Sequence, residues 1–546
     1  MKIALAQLNY IIGDFDLNTG KIIEAIRNAK DQGVDLIVFA ELSVCGYAPR
    51  DFLEFNEFID LCEEAAQKII KECVGIACIL GLPTRNPEIK GKDLYNSAYF
   101  IENAEVKAVV NKALLPTYDV FDEYRYFEPA DSFSCIDFKG QKIALTICED
   151  LWNINENPMY VTCPMDELIK EEPNLMINIA ASPFAYNHDE ERVSVLGDNA
   201  KKYKLPLFYV NQVGAQTEII FDGGSLVFDQ SGNLLEELPY FREAVQTYEF
   251  HDGVIQGLKP IAHDAQNDIE QIHDALILGI RDYFSKLGFK KAILGLSGGI
   301  DSAVVCALAA EALGPENVMA VLMPSEFSSD HSIQDALDLV HNLGCRHELI
   351  PIKAAASAFE AMMKPVFNDL PFNVAEENIQ ARSRAIVVMA MSNKFGYVLL
   401  NTSNKSECAV GYGTLYGDMA GAISVLGDVY KTQVYKLAEY INRDRVIIPL
   451  NSIVKPPSAE LRPGQKDSDS LPEYDILDGI LFQYIELKKS SAEIIALGYE
   501  VNLVKRVLRM VNIAEFKRFQ SAPILRVSPK AFGMGRRLPI VAKYLS

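Results

Sequence analysis

Basic residues are scarce in this chain relative to acidic ones. It has 52 Lys and Arg against 74 Asp and Glu, which gives a formal net charge of −22. Because such a surface repels polyanions, the composition argues against nucleic acid as a main partner. A basic pocket for a small phosphate ligand is still compatible with this total, since the sum over a chain does not describe the field inside one cleft.

Long uncharged apolar runs are absent as well. None approaches the roughly 18 residues that a membrane-spanning helix needs, so we expect no membrane location. The N-terminal segment MKIALAQLNY leads into Asp14 and Asp16 without a small-residue cleavage pattern. This predicts a first β-strand and argues against a signal peptide.

Cysteine is sparse, with ten residues at irregular positions and no CxxC pair. This usage argues against a disulfide framework or a cysteine-based metal site, and it favours free thiols in the cytoplasm. Cys148 directly follows the apolar run KIALTI. The other nine are predicted to be small packing residues, namely Cys45, Cys62, Cys73, Cys78, Cys135, Cys163, Cys306, Cys345 and Cys408.

The chain length of 546 residues, 49% of them hydrophobic, exceeds what one ordinary core accommodates. Short apolar runs alternate with helix-like segments in both halves, a pattern typical of α/β layers with buried strands. We predict a first domain over residues 1–245, a connection of weak periodicity over residues 246–266 and a second domain over residues 267–546.

Three polar residues of the first half follow or adjoin predicted buried strands: Glu41, Lys112 and Cys148. A cysteine that attacks a carbonyl must become a thiolate and needs a base, which Glu41 could be. A fixed cation such as Lys112 would stabilise the charge that develops on the carbonyl oxygen. Taken alone, each residue is better explained by a structural place at a sheet edge. A Cys–His pair is the alternative, with His188 the closest histidine in sequence.

The segments ELSVCGYAPRD, NKALLPTYDVFDEYRYFEP, ICEDLW and NIAASPF contain these residues and resemble the nitrilase superfamily, in the family's order, over about residues 1–245. The resemblance implies an α-β-β-α sandwich that cleaves carbon–nitrogen bonds through a thioester. It makes Glu41 the general base, Lys112 the oxyanion stabiliser and Cys148 the nucleophile.

The same resemblance implies a glutamine site. Glu123 would orient Lys112, while Tyr118 and Ser182 match positions that hold L-glutamine in glutamine-using members. Where those members usually carry a lysine six residues past the serine of SPF, this chain has His188.

The glycine-rich segment GLSGGIDS, from Gly295 to Ser302, lies between a predicted strand and a predicted helix. Backbone N–H groups, the helix N-terminus and the hydroxyls of Ser297 and Ser302 suit a bound phosphate. Asp301 would repel phosphate unless Mg²⁺ stood between them. A plain tight turn is the alternative for so short a pattern.

SGGxDS resembles the pyrophosphatase-type ATP loop, which implies adenylylation with release of pyrophosphate. Further segments, including EENIQARSRAIVVMAMSN, LLNTSNKSECAVGYGTLYGDMAG and PSAELRP, are similar to glutamine-dependent NAD synthetases over residues 270–530. This implies a doubly wound parallel sheet of the Rossmann-like, adenine nucleotide alpha hydrolase-like type. The implied ATP-binding residues are Gly295, Leu296, Ser297, Gly298, Gly299, Ile300, Asp301, Ser302, Thr402 and Lys431.

The resemblance also implies that Asp301 and Glu407 hold Mg²⁺, with Glu407 framing the reacting carboxylate. Asn378, Arg382 and Lys517 would contact deamido-NAD. A polar helix face explains ENIQARSR equally well, and either lysine, 431 or 517, could be ordinary surface charge.

The expected function is therefore synthesis of NAD from deamido-NAD, ATP and L-glutamine, with Mg²⁺ as cofactor. Ammonia would travel through an internal passage, and the synthetase domains would assemble as homo-oligomers. The alternatives are another SGGxDS amidotransferase, an amidase fused to an unrelated ATP enzyme, and a non-catalytic nucleotide-binding protein that keeps both folds. Lys2 stands where asparagine synthetases have cysteine, which disfavours that group.

Overall fold

The computed structural model describes residues 1–88, 90–154, 159–263, 267–368 and 370–544. The chain forms two compact units, Met1–Gln266 and Asn267–Ser546. No helix among the described residues is both long enough and apolar enough to cross a bilayer.

The first unit contains fifteen of the described strands and four of the described helices. The helices are α1 Phe15–Asp31, α2 Asn56–Glu72, α3 Pro164–Leu168 and α4 His188–Tyr203. The strands are β1 Lys2–Gln7, β2 Leu36–Phe39, β3 Ala77–Arg85, β4 Leu94–Glu102, β5 Glu105–Asn111, β6 Ile136–Phe138, β7 Gln141–Ile147, β8 Leu175–Ala180, β9 Leu207–Asn211, β10 Val213–Gln216, β11 Ile219–Asp222, β12 Leu226–Phe228, β13 Leu234–Glu237, β14 Ala244–His251 and β15 Val254–Ile255.

Two large sheets form the centre of the first unit, in the orders β15-β14-β1-β2-β3-β4-β5 and β13-β12-β9-β8-β7-β6. Every residue of β2 and β8 is buried, because both faces of these strands are covered. A core that includes Leu5, Val38, Ile177 and Phe208 fills the space between the sheets. Helices α1 and α2 cover the outer face of the first sheet, and α3 and α4 pack on the second. The predicted α-β-β-α sandwich is confirmed.

The segment expected to connect the domains is partly a strand. Residues 244–251 form β14. Its residues 244–249 pair antiparallel with the whole of β1. Tyr248 and Phe250 are buried against the inter-sheet core while their neighbours are not, and this short alternation was too weak a signal in the sequence. Residues 264–266 of the expected connection lie outside the described residues.

The second unit has a smaller sheet and many helices. Its strands are β16 Ala292–Gly295, β17 Val318–Leu322, β18 Arg346–Leu349, β19 Val398–Asn401 and β20 Ile423–Ser424. Its helices are α5 Asp268–Lys286, α6 Ile300–Leu313, α7 Asp330–Leu343, α8 Lys353–Phe367, α9 Val374–Phe395, α10 Lys405–Val410, α11 Lys431–Ile441, α12 Leu450–Val454, α13 Tyr474–Ile485, α14 Ser491–Ala496, α15 Val501–Ile513 and α16 Glu515–Arg518.

All pairs in this second sheet are parallel, in the order β18-β17-β16-β19-β20. The chain order reverses between β16 and β19, and ligands of doubly wound sheets bind outside the carboxyl ends of the strands at such a point. The loop SGGIDS follows β16, and Thr402 follows β19. The predicted parallel, Rossmann-like architecture is confirmed.

Candidate active sites

Cys148 lies where β7 ends and a short 3₁₀ turn, Cys148–Leu151, begins. Its φ of 44° is in the left-handed region, which is strained for a residue with a side chain and often marks functional positions. The carbonyl oxygen of Cys148 accepts a hydrogen bond from Asn178 Nδ2 at 3.4 Å. The turn therefore holds the thiol at the carboxyl end of a buried strand.

Lys112 lies between two carboxylates. Its Nζ donates to Glu41 Oε1 at 2.7 Å and to Glu123 Oε1 at 2.8 Å, and all three side chains are buried. Burial lowers the pKa of Lys112, but Glu123 and Glu41 outweigh it and hold that pKa well above its ordinary value. Lys112 is thus a fixed cation.

The electrostatic neighbours of Cys148 include Glu41 and Lys112. Burial, and next the charge of Glu41, raise the pKa of the thiol well above its ordinary value, while Lys112 opposes them. The resting sulfur is therefore protonated and must lose its proton as it attacks. Glu41 is the carboxylate whose charge acts most strongly on this thiol, which makes it a candidate base, and its second oxygen accepts from the backbone N–H of Ala181 at 3.0 Å.

Two further residues fix this carboxylate pair and have no signal in the sequence. Asn96 Nδ2 donates to Glu41 Oε1 at 2.7 Å, and the hydroxyl of Tyr47 donates to Glu123 Oε1 at 2.7 Å. Burial raises the pKa of Glu123 to about 7, although Lys112 opposes it.

Asp150 ties the nucleophile turn to the lysine segment. Its Oδ1 accepts from the backbone N–H groups of Ala113 at 3.0 Å and Leu114 at 2.9 Å, and its Oδ2 accepts from Ile147 at 3.0 Å. The donors directly follow Lys112 and directly precede Cys148. Burial raises the pKa of Asp150 to about 6, against the effect of these hydrogen bonds.

Two of the residues expected to contact glutamine, Tyr118 and Ser182, are linked by hydrogen bonds to groups near the Cys148 site. The hydroxyl of Tyr118 donates to Glu149 at 2.9 Å, and Glu149 immediately follows the nucleophile. Ser182 is buried, and its backbone N–H donates to Asn211 Oδ1 at 2.9 Å. Ser182 directly follows Ala181, which binds Glu41.

His188, the residue of the Cys–His alternative, begins α4. Its ring stacks on that of Trp152 at 5.2 Å between centroids, and Nδ1 lies 3.3 Å from Glu191 Oε2. Its aromatic contact and its ion pair are therefore directed to groups other than the thiol.

The second unit has a cavity of about 560 Å³ at the carboxyl ends of its strands. The sequence-predicted ATP residues that line it are Gly295, Leu296, Ser297, Gly299, Ile300, Asp301, Ser302, Thr402 and Lys431. Glu407 lines it too. Gly298 has a φ of 81°, and a Cβ there would come within 2.1 Å of the carbonyl oxygen of Ser332, so only glycine fits.

Asp301 is held by two neighbours at the first turn of α6. Its Oδ1 accepts from Asn404 Nδ2 at 2.9 Å, and its Oδ2 forms an ion pair with Lys431 Nζ. Burial, and next the charge of Asp301, raise the pKa of Glu407 well above its ordinary value, and both residues line the cavity. Two adjacent carboxylates with room for phosphate oxygens suit Mg²⁺. Among the described residues no group of three or more His, Cys, Asp or Glu is arranged to hold a metal, so phosphates and water would complete the coordination.

Three residues are expected to contact deamido-NAD alone, and none of them is among the residues that line the cavity. They meet at one loop, residues 411–415, of which Tyr412 does line the cavity. Asn378 Oδ1 accepts from Thr414 Oγ1 at 2.7 Å, and Arg382 Nε donates to the carbonyl of Leu415 at 3.2 Å. Lys517 Nζ donates to the carbonyls of Gly411 and Gly413 at 2.8 and 2.7 Å. The fold thus gathers residues that are far apart in sequence.

Comparison with known proteins gives both units a family. Residues 2–259 match the carbon-nitrogen hydrolase family, and residues 272–521 match the NAD synthase family. A glutamine-dependent NAD(+) synthetase of Synechocystis is 46% identical over 99% of each chain. Its counterpart in Acinetobacter baylyi is 41% identical over 99% of this chain and 98% of its own.

Solved structures agree with these matches. The glutamine-dependent NAD+ synthetase of Acinetobacter baumannii, determined in complex with ADP, is 38% identical and superposes with a TM-score of 0.79. The superposition covers 99% of this chain and 98% of that one. The chain therefore belongs to the family of glutamine-dependent NAD synthetases.

Proposed function

We propose that the chain hydrolyses L-glutamine in its first unit and uses the ammonia in its second unit to convert deamido-NAD into NAD, with ATP cleaved to AMP and pyrophosphate. The observation that carries this proposal is the buried Glu41–Lys112–Glu123 arrangement with Cys148 as its electrostatic neighbour. Such a set suits amide cleavage through a thioester.

In the first half-reaction Cys148 Sγ attacks the side-chain amide carbon of glutamine while its proton passes to Glu41. Lys112 stabilises the negative charge on the carbonyl oxygen. Collapse of this intermediate expels ammonia, which takes the proton from Glu41, and leaves a glutamyl thioester. Glu41 then deprotonates a water molecule, whose oxygen attacks the thioester carbon, and glutamate leaves as the thiol regains a proton.

Tyr118, Ser182 and His188 are proposed to hold the glutamine. Support for two of them comes from their neighbours: Tyr118 bonds Glu149, which directly follows Cys148, and Ser182 directly follows Ala181, whose backbone N–H donates to Glu41. The stack of His188 on Trp152 gives the ring a fixed orientation at this position.

In the second half-reaction the SGGIDS loop, Thr402 and Lys431 are proposed to bind ATP, with the loop holding the pyrophosphate that departs. Asp301 and Glu407 would hold Mg²⁺, which when bound neutralises phosphate charge. The carboxylate of deamido-NAD attacks the α-phosphorus, pyrophosphate leaves, and ammonia then displaces AMP. Asn378, Arg382 and Lys517 are proposed to bind the dinucleotide, supported by their shared contacts with Gly411–Leu415.

Three further proposals concern the protein as a whole. Ammonia is expected to move between the sites without release, because free ammonia is mostly protonated in neutral water. The synthetase units are expected to form homo-oligomers. A cytoplasmic location is supported by the ten free cysteines.

The test is turnover by the purified full-length chain. With deamido-NAD, ATP, Mg²⁺ and glutamine, we expect NAD, AMP, pyrophosphate and glutamate to form in equal amounts. Chromatography measures the four products. Glutamate release without any AMP would contradict the synthetase assignment, and AMP formation with ammonium but not with glutamine would contradict the glutaminase assignment.

A further inference from the structure

Arg384 is a charged residue on an otherwise apolar stripe of α9. The helix faces the cavity of the second unit with Ala381, Arg384, Ala385 and Val388, a spacing that puts all four on one side of a helix. The other three are at most 9% exposed and pack as core residues do. Arg384 is the charged residue of this stripe, and it lines a cavity that is large enough for a nucleotide.

The guanidinium lies at the same sheet edge as the phosphate loop. Arg384 Nε donates to the carbonyl oxygen of Met323 at 3.1 Å. Met323 directly follows β17, whose Val321 pairs with Gly295 at the start of the loop. Gly295 and Met323 both line the cavity.

Arg384 is only partly buried, and it differs from the buried cations of the chain because the described residues give it no carboxylate partner. Asp418 and Glu460 act on its charge, but neither forms an ion pair with it among the described residues. Burial lowers the pKa of Arg384, and these two acids only partly oppose the shift. Cations that do have a paired carboxylate are Lys112, Arg192, Lys405, Lys431 and Arg518.

A partly buried cation without a counterion is unfavourable, because the charge has lost part of its hydration and gained no charge of opposite sign. The cavity that it faces is where the phosphates of a nucleotide would supply that opposite charge. We propose that Arg384 binds a nucleotide phosphate in this cavity, through guanidinium nitrogens that Met323 leaves free. The inference rests on the proposed synthetase function and adds a cation beyond the SGGIDS loop and Lys431.

The phosphate has two possible sources, ATP and deamido-NAD, and steady-state kinetics distinguish them. The full-length Arg384→Gln variant is assayed with ammonium as nitrogen donor, varying each nucleotide in turn. Loss of a charge-assisted bond predicts a rise in KM of about tenfold to a hundredfold. A rise for ATP alone identifies a phosphate of ATP, and a rise for deamido-NAD alone identifies the dinucleotide. Arg384→Lys keeps the positive charge but lacks the two parallel N–H donors of the guanidinium, so its KM should rise less than that of Arg384→Gln.

The matched control is Lys394→Gln, which removes one positive charge from the exposed last turn of the same helix. It should leave both KM values unchanged. A second readout is the thermal unfolding midpoint of the ligand-free protein, which should stay the same or rise in Arg384→Gln, since a partly desolvated charge without a counterion is removed. A purely structural arginine would instead lower this midpoint.

The proposal is overturned if Arg384→Gln matches Lys394→Gln in both KM values, or if Arg384→Lys behaves as the wild type while Arg384→Gln only loses stability. Failure of the proposed function looks different, because the wild-type chain would then form no NAD with either nitrogen donor.

Discussion

The two sites of this chain differ in how their charges are balanced. In the first unit, Lys112 lies between Glu41 and Glu123, and Asn96 and Tyr47 bond the same carboxylates. The two carboxylates share one cation, and each also accepts a hydrogen bond from a neutral side chain. The first site is therefore organised by the protein itself, which the proposed stabilisation of a developing oxyanion requires.

In the second unit the charges are incomplete. Glu407 lies beside Asp301 with a raised pKa, and burial lowers the pKa of both Arg384 and Lys517. For neither cation do the described residues include an ion-paired carboxylate. The proposed ligands of this site bring phosphates and a metal ion, which would complete its electrostatics. The comparison teaches that the arrangement of the first site should persist without ligand, whereas that of the second site should depend on bound ligand.

The largest expected effect separates the two sites completely. Cys148→Ala removes the nucleophile, and glutamine-dependent NAD formation should fall by about 10⁴-fold or more. Activity with added ammonium should remain near that of the wild type, measured as NAD formed per enzyme. Loss of both activities would mean that the sites are not divided as proposed.

Lys112→Met tests whether the first site is balanced internally. The change leaves Glu41 and Glu123 buried without their cation, which should abolish glutamine hydrolysis and cost about 3–5 kcal/mol of stability. Differential scanning calorimetry of the ligand-free chain measures the second effect. A Lys112→Met variant as stable as Arg384→Gln would break the contrast between the two sites.

Gly298→Ala should damage the second site alone. The added Cβ would meet the carbonyl oxygen of Ser332 at 2.1 Å in a backbone with φ of 81°, so AMP formation should fall by about a hundredfold while glutamine hydrolysis persists. Gly288→Ala is the matched control, since its φ is 73° but nothing lies within 4 Å. Equal losses in the two variants would mean that strain, and not the crowded loop, is responsible.

Asp150→Asn should slow glutamine hydrolysis by about tenfold, because an amide has one acceptor oxygen in place of two and cannot bind all three backbone N–H groups. The effect should be on kcat, with ammonium-dependent activity unchanged. A change only in the KM for glutamine would argue that Asp150 does not position Cys148 and Lys112.

The smallest expected effect is a pH dependence of glutamine hydrolysis. Glu123, with a pKa of about 7, faces Lys112, Glu41, Tyr47 and Asn96. As the pH falls through 7 it takes up a proton and ceases to be a counterion for Lys112, so the rate should decline by a few-fold toward pH 6. In Glu123→Gln this decline should move to lower pH, near the pKa of about 6 of Asp150. An unmoved profile would assign it to another group.

Sequence patterns predicted the fold class and the residues that their motifs contain. Glu41 and Cys148 follow buried strands, and the SGGIDS loop follows another, so strand ends alone mark them. Asn96 and Tyr47 escaped notice because each lies inside an apolar-looking segment. The pairing of β4 with β5 places Asn96 beside Lys112, whose backbone N–H donates to the carbonyl of Asn96 at 2.8 Å, and local patterns do not show such pairing.

Arg384 had a usable signal. Its place in the stripe with Ala381, Ala385 and Val388 is visible in the helical periodicity of ENIQARSRAIVV. The family resemblance instead assigned the ligand contact in this segment to the neighbouring Arg382. Strand β14 was missed for a different reason, since only Tyr248 and Phe250 alternate inward and the residues that it pairs with in β1 are 237 to 247 positions away in sequence. Local patterns contain no information about such distant pairing.

The bridge made by Asp150 has a mechanical consequence. Its amide donors at 113 and 114 continue from the edge strand of one sheet, and the donor at 147 ends a strand of the other. One carboxylate therefore sets the spacing between the halves of the sandwich at the point where sulfur and ammonium must cooperate. A bulkier side chain in the layer between the sheets, far from any substrate, would push these halves apart. Its first effect would be a lower rate of glutamine hydrolysis.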